Sequence, residues 1–364
     1  MADIVITTED LKDPSIDDVV NLQKSLQSQS GERIENIKTP YYFNPMFYYT
    51  VATAIGALVV WRVLEPHLAA HEMQRRVEKF DSLLIMFLTA AISAYSVFGP
   101  VAAALGLSLG MVYGIVNRNL TKTLYCGLIG VGVGLGATVV TTLIAQVVYV
   151  ATGVISGKMN GGDFDAPLRG FAFFIHMSGR AIAWSIISMA AGLGLGVALK
   201  SKKLMLNGFV GGMIGGLLGG MFFDPIGRFL ASPGESGALS RFVGFFAVGI
   251  FVGFFIGLFE NISKEAWFLM LKGPLTGKQF VLFKSPMKIG SSPKSDIYLF
   301  KDADIAPHHA SITKNGSRYL LKDEGSEKGT YVNGRRVDNY VLQDSDTITI
   351  GEAVLRYSEK SKEA

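Results

Sequence analysis

Few residues in this chain have the type and spacing to do chemistry. His308 and His309 adjoin, offering two imidazoles to a metal or one hydrogen-bonding ring to the fold, but no HExxH and no Cys/His cluster surrounds them. The one cysteine, Cys126, lies in an apolar run, so no intramolecular disulfide is possible. Residues 130–136, GVGVGLG, have the glycines of a dinucleotide loop but stand inside an apolar stretch with no strand before them. No GxxxxGK[ST] phosphate loop, GxSxG elbow or kinase signature occurs. Asp224 closes a long uncharged stretch and invites a salt bridge with Arg180, Arg228 or Arg241. His176 lies in FAFFIHMSGR, an amphipathic segment expected along a membrane interface. These residues point to no enzyme, no metal and no cofactor. A net charge of +4 on 364 residues gives no case for nucleic acid.

The elements that carry these residues fall into two kinds. Only 18% of the chain is charged, against about a quarter in soluble domains. The deficit is local: long uncharged runs lie between residues 46 and 260, whereas 262–364 has ordinary soluble texture. Residues 1–40 carry eight Asp/Glu against four Lys/Arg and read as an acidic, mostly disordered tail, with one short helix near Ile16–Leu26. No signal peptide or lipidation motif is expected at either end.

A spanning helix needs ~20 mainly apolar residues. Residues 41–261 offer Pro45–Leu64, Ser82–Phe98, Val101–Val116, Leu124–Thr152, Arg180–Leu199, Leu204–Phe223 and Phe242–Phe259. An unbroken Ser82–Val116 would extend ~52 Å at 1.5 Å per residue, so Gly99-Pro100 is read as a tight hairpin and the bundle as seven spans, with six as the alternative. Three loops are basic: Arg62, Arg75, Arg76 and Lys79; Arg118 and Lys122; Lys200, Lys202 and Lys203. Basic loops mark the cytoplasmic side. The expectation is a multi-pass protein of the cell (inner) membrane, its tail outside and its last domain in the cytoplasm. Tyr41, Tyr42, Tyr48, Tyr49 and Trp61 read as interfacial aromatic belts.

Glycines recur every fourth residue at Gly208, Gly212, Gly216 and Gly220, at Gly249, Gly253 and Gly257, and at Gly106, Gly110 and Gly114. That spacing puts them on one helix face, where backbones approach closely. Tight packing or self-association into a homo-oligomer or larger complex is expected of such ridges; a pore or substrate path is the alternative. GLSLGMVYGIVNRNLTKTLYCGLIGVGVG is similar to GLGLGVALKSKKLMLNGFVGGMIGG. Each is a glycine-ridged helix, a basic turn and a second glycine-ridged helix, a parallel duplication of one hairpin.

After Glu260 come short alternating segments, among them WFLML, FVLF, DIYLF, HASITK, RYLLKD, DTITI and VLRYS, separated by Gly, Pro, Asn and Asp. They predict an all-β sandwich. The blocks GPLTGKQFVLFKSPMKIGSSPKSDIYL, IAPHHASI, LKDEGSEKGTYVNGRRV and LQDSDTITIG resemble a forkhead-associated (FHA) domain over 262–364. The resemblance implies a phosphothreonine-binding loop face. It assigns structural roles to Gly290, His309, Gly329, Thr330 and Gly334, and a partner-binding face to Ser291, Ser292, His308, Glu327, Lys328, Asn333 and Arg335. More loosely, the whole chain resembles bacterial membrane proteins in which glycine-rich hairpins precede a C-terminal FHA module.

Departures from the family pattern fall on the phosphate site. Ser291 replaces its Arg, Ala306 its Ser and Pro307 the Arg that often follows, while Ser326-Glu327-Lys328 replaces Ser-Thr-Asn. Hydrogen bonds to charged groups contribute ~1.5–3 kcal/mol each. Losing three removes ~4–9 kcal/mol, while a micromolar complex has only ~8 kcal/mol in all. The expected function is a membrane scaffold or adaptor in signalling, in contact with membrane lipid, whose FHA domain recruits a cytoplasmic protein through a degenerate phosphothreonine site. Alternatives are a channel or transporter regulated by that domain, and a phosphothreonine receptor rebuilt on Lys294, Lys328, Arg335 and Arg336.

Overall fold

The computed structural model describes residues 37–73, 83–163, 167–229 and 237–360. The acidic tail up to residue 36, its short helix and the basic residues Arg75, Arg76 and Lys79 lie outside the described residues.

A short 3-10 turn, Tyr41–Phe43, leads into six helices: α1 Pro45–Met73, α2 Leu83–Val116, α3 Leu120–Met159, α4 Gly170–Ala198, α5 Lys202–Phe229 and α6 Ala238–Ser263. All six are long and apolar enough to cross a bilayer. The expected seventh span does not form, because α2 runs unbroken through Gly99-Pro100. Reversing the chain there would strand several backbone N–H and C=O groups, whereas proline inside a helix removes a single donor. The FAFFIHMSGR segment likewise continues into α4 instead of forming a separate surface helix.

An even number of helices changes the topology. Gln279 of the β-sandwich donates to Thr39 Oγ1 at 3.0 Å, so the entry to α1 stands at the same end of the bundle as the C-terminal domain. Of the three basic loops, those at Arg118–Lys122 and Lys200–Lys203 stand at the sandwich end.

The helices pack in chain order, each against the next, and α6 closes back on α1. Glycine permits the approach. A Cβ at Gly192 or Gly208 would collide with the carbonyl oxygen of the other, and Gly106 and Gly130 meet in the same way. Gly212, Gly216 and Gly220 press on Ser188, Trp184 and Ala181 of α4, while Gly249, Gly253 and Gly257 press on α1 around Ala57, Thr53 and Met46. The ridges expected to mediate self-association therefore face helices of their own chain. Outward positions are apolar instead, as with Ile55, Val59 and Val63 on α1 and Leu120, Leu124 and Leu128 on α3, all exposed.

The duplicated hairpins share details beyond their glycines. The turns between α2 and α3 and between α4 and α5 each hold a basic residue in the left-handed region, Arg118 (φ 47°) and Lys200 (φ 53°). A polar cap follows each: Asn119 accepts from Lys122 N at 2.9 Å and Ser201 from Leu204 N at 3.2 Å.

Eleven strands then form two sheets, ordered β2-β1-β11-β10-β7-β8 and β4-β3-β5-β6-β9. Their ranges are β1 Ala266–Lys272, β2 Gln279–Val281, β3 Met287–Gly290, β4 Ile297–Tyr298, β5 Ala310–Asn315, β6 Arg318–Asp323, β7 Thr330–Val332, β8 Arg335–Val337, β9 Asn339–Val341, β10 Thr347–Ile350 and β11 Ala353–Glu359. Alternation along them sends Phe268, Met270, Ile289, Ile312, Leu321, Ile348, Leu355 and Tyr357 into one core.

Gly208→Leu should cost the ~1–3 kcal/mol of ordinary overpacking or more, because the obstacle is backbone. Gly136→Leu, with open space around it, should leave the thermal midpoint in detergent unchanged. Equal midpoints for the two variants would remove the glycine ridge as the packing element.

Candidate functional site

The loop face of the sandwich is built around two buried anchors. His309 is fully buried; its Nδ1 accepts from Ala306 N at 3.1 Å, so Nε2 carries the proton and donates to Gly329 O at 3.2 Å. One ring thus joins the β4–β5 and β6–β7 loops, the structural role expected of it. Asp323 organises the second loop, accepting from Gly325 N, Ser326 N, Ser326 Oγ and Thr330 Oγ1 at 2.6–2.8 Å. Burial works to raise its pKa, but those hydrogen bonds together hold it below the ordinary carboxylate value. Gly329 and Gly334 take φ of 79° and 78°, which favours glycine. Gly290 has no Cβ space against Ala306 O and Pro307 O.

Two hydroxyls where a phosphate would be gripped are turned onto backbone carbonyls. Ser291 Oγ donates to Ile305 O at 2.7 Å and Ser295 Oγ to Pro307 O at 3.2 Å, while Ser292 Oγ accepts from Lys294 N at 3.3 Å. Lys328, 57% exposed, faces Asp304 at 3.6 Å across the rim, and a surface pair of this kind contributes at most about 1 kcal/mol. Arg336 folds back over Gly329 and reaches Ser326 O at 3.5 Å. Ser291, Ser292, His308, Glu327 and Lys328 therefore share the loop cluster. Asn333 and Arg335 do not join it. They sit beyond the other end of β7, where Asn333 donates to Asp346 Oδ1 and accepts from Thr347 N.

The FHA domain family matches residues 287–351. The oxoglutarate dehydrogenase inhibitor of Corynebacterium jeikeium is 37% identical over 106 residues, which are 29% of this chain and 73% of that protein. The chain belongs to the FHA domain family. The glycogen accumulation regulator GarA of Mycolicibacterium smegmatis is 36% identical over 25% of this chain, and the chain spans 56% of it. A solved FHA domain from Chlamydia trachomatis is 25% identical, covering 27% of this chain and all of its own, with a TM-score of 0.25. The C-terminal part of this protein is accordingly a protein–protein interaction module.

A second cluster fixes the FHA domain to the helix ends. Lys278, buried at the start of β2, donates to Val116 O at 2.9 Å and Asn117 Oδ1 at 2.7 Å. Burial, with Lys122 nearby, holds its ammonium well below the usual lysine range, and Glu260 opposes that shift. Lys122 Nζ donates to Ser295 O and Asp296 O at 2.5 and 3.1 Å. Both hairpin caps reach the domain: Asn119 donates to Pro293 O at 2.8 Å and Ser201 Oγ to Phe283 O at 2.9 Å. Glu265, between α6 and β1, pairs with Lys203 and Lys314. A cavity of about 180 Å³ remains among Tyr48, Tyr113, Glu260, Lys264 and Lys278.

The sequence carries one sign of this junction, the step Asn261–Ala266, too short for a flexible tether; the residues that form it are not legible there.

Removing the Lys278 hydrogen bonds, each ~1.5–3 kcal/mol, should loosen the docking. In Lys278→Ala, amide exchange in 117–119, 199–201 and 291–296 should rise at least about ten-fold while the sandwich core stays protected. Unchanged exchange at those turns would show that the junction does not depend on this ammonium.

Proposed function

We propose that this protein is a non-catalytic, membrane-held adaptor. Its six helices span the bilayer, and its FHA module, held against their cytoplasmic ends, recruits a protein partner with little contribution from phosphate. The observation that carries the reading is the inward-turned loop face. Ser291 is bonded to Ile305 O, and the cation of Lys328 faces Asp304. A phosphate dianion wants several charge-assisted donors, and this face offers few.

Several features support the membrane part. The outward surfaces of α1 and α3 are apolar, as hydrocarbon requires. Arg118, Lys122, Lys200, Lys202 and Lys203 gather at the FHA end, in keeping with a cytoplasmic face. Under this reading residues 37–44, at the entry to α1, share that face. The names of the relatives, an inhibitor and a regulator, suit a module that acts by binding.

The docking also sets geometry. The β3–β4 loop borders the partner face on one side and is clamped to Asn119 and Lys122 on the other. A partner therefore meets the domain close to the lipid surface, and a partner already at the membrane fits best. A phosphothreonine receptor is the second reading, favoured by family membership alone.

The full-length chain in nanodiscs, titrated with matched threonine and phosphothreonine peptides taken from a captured partner, should bind the two within about ten-fold, or ~1.4 kcal/mol. A preference of several hundred-fold that Lys328→Ala abolishes would replace the adaptor reading with the receptor one. Carbonate extraction tests the membrane part separately: the chain should stay in the pellet.

A further inference from the structure

The remote half of the bundle holds a half-open chamber of about 590 Å³, within the ~300–1,000 Å³ of small-molecule sites, which favour the space between bundle helices. At 1.5 Å per residue, Glu65, Arg180, Asp224 and Arg241 each stand ~30 Å along their helices from the FHA end. That is one hydrocarbon thickness, so these charges form a belt at the far interface. Arg180 pairs with Asp224 at 3.0 Å and Arg241 with Glu65 at 2.7 Å, all four side chains mostly buried.

Only half of this belt borders the chamber. Arg180 and Arg241 line it, whereas Asp224 and Glu65 stand behind them. Arg180 Nη2 also donates to Tyr149 OH at 3.1 Å, and Tyr149 lines the chamber too. The mouth therefore presents two guanidinium groups and a phenol. Below it the walls turn apolar and end on a floor of Phe98, Trp184 and Phe245, with the Trp184 ring 5.5 Å from Phe98 and 5.9 Å from Phe245. Under the floor, Leu105 and Leu109 are fully buried. In its wall the Thr142 hydroxyl is buried with no hydrogen-bond partner among the described residues.

We propose that this chamber binds a long-chain amphiphile with an anionic, acceptor-bearing head. The head, a carboxylate or phosphate ester, sits at Arg180 and Arg241, and the hydrocarbon lies on Trp184. A hydrocarbon alone fits only the apolar wall; a free phosphate fits only the mouth. An amphiphile satisfies both. The bilayer reading above supplies the level of the mouth, so the test must separate the two.

Trp61→Phe with Trp267→Phe leaves Trp184 as the only tryptophan of the full-length chain. In nanodiscs, 9,10-dibromostearate or a dibrominated phosphatidylglycerol should quench Trp184 saturably. Quenching by the acid names a free fatty acid as source, and quenching by the phospholipid names the leaflet. Arg180→Gln should weaken the quenching about ten-fold, as loss of a charge-assisted bond does. Ala94→Phe, which fills the wall without touching the ion pairs, should abolish it with the thermal midpoint preserved. Absence of saturable quenching by either probe, or quenching that Ala94→Phe leaves intact, overturns the proposal. Failure to incorporate into nanodiscs counts against the bilayer reading alone, since dibromostearate titrated in detergent still reports on the chamber.

Discussion

The ammonium of Lys278 is carried into the seam between the β-sandwich and the helix ends, where Val116 O and Asn117 Oδ1 take two of its protons. The last carbonyls of a helix have no partner within it and carry the negative end of its dipole. A buried cation there answers two needs at once, its own and that of α2. An amine withdrawn from water is tolerable only with such partners. Once Lys278 is seated, β2 is fixed against the α2–α3 turn, and Asn119, Lys122 and Ser201 fall within reach of the β2–β3 and β3–β4 loops. The orientation of the partner-binding loops follows from these contacts together.

Glycine is the corresponding constraint inside the bundle. Between helices as apolar as these, close packing and polar contacts hold the bundle together. The crossings of Gly106 with Gly130 and of Gly192 with Gly208 supply the first. Thr53 donating to Gly249 O and Ser185 to Met213 O supply the second. The two hairpins use the same solution twice, down to the left-handed basic residue in each turn.

Much of this was legible in the residues. The β-sandwich, the role of His309, the glycine faces and the hairpin duplication all follow from local pattern, because each is a property of near neighbours in sequence. Gly99-Pro100 misled, since a proline looks like a breaker until the backbone cost of reversing the chain in hydrocarbon is counted. Asp224 was expected to pair with an arginine, and Arg180 is the one it takes. Glu65 was passed over because it stands just beyond the apolar run of α1, which continues to Met73. Lys278 and Glu260 were illegible for a different reason: a lysine heading a short strand looks solvated, and only the docking of the two units buries it. Asn333 looked like a contact residue and is instead the clamp of its own turn.

The contacts that seat the FHA domain come from residues near 39, from the turn at 117–122 and from the turn at 199–203. Ribosomes make all of these before the sandwich emerges. The seat is therefore complete in sequence before the domain begins, and a bundle lacking either turn would leave Lys278 or the Phe283 carbonyl without its partner.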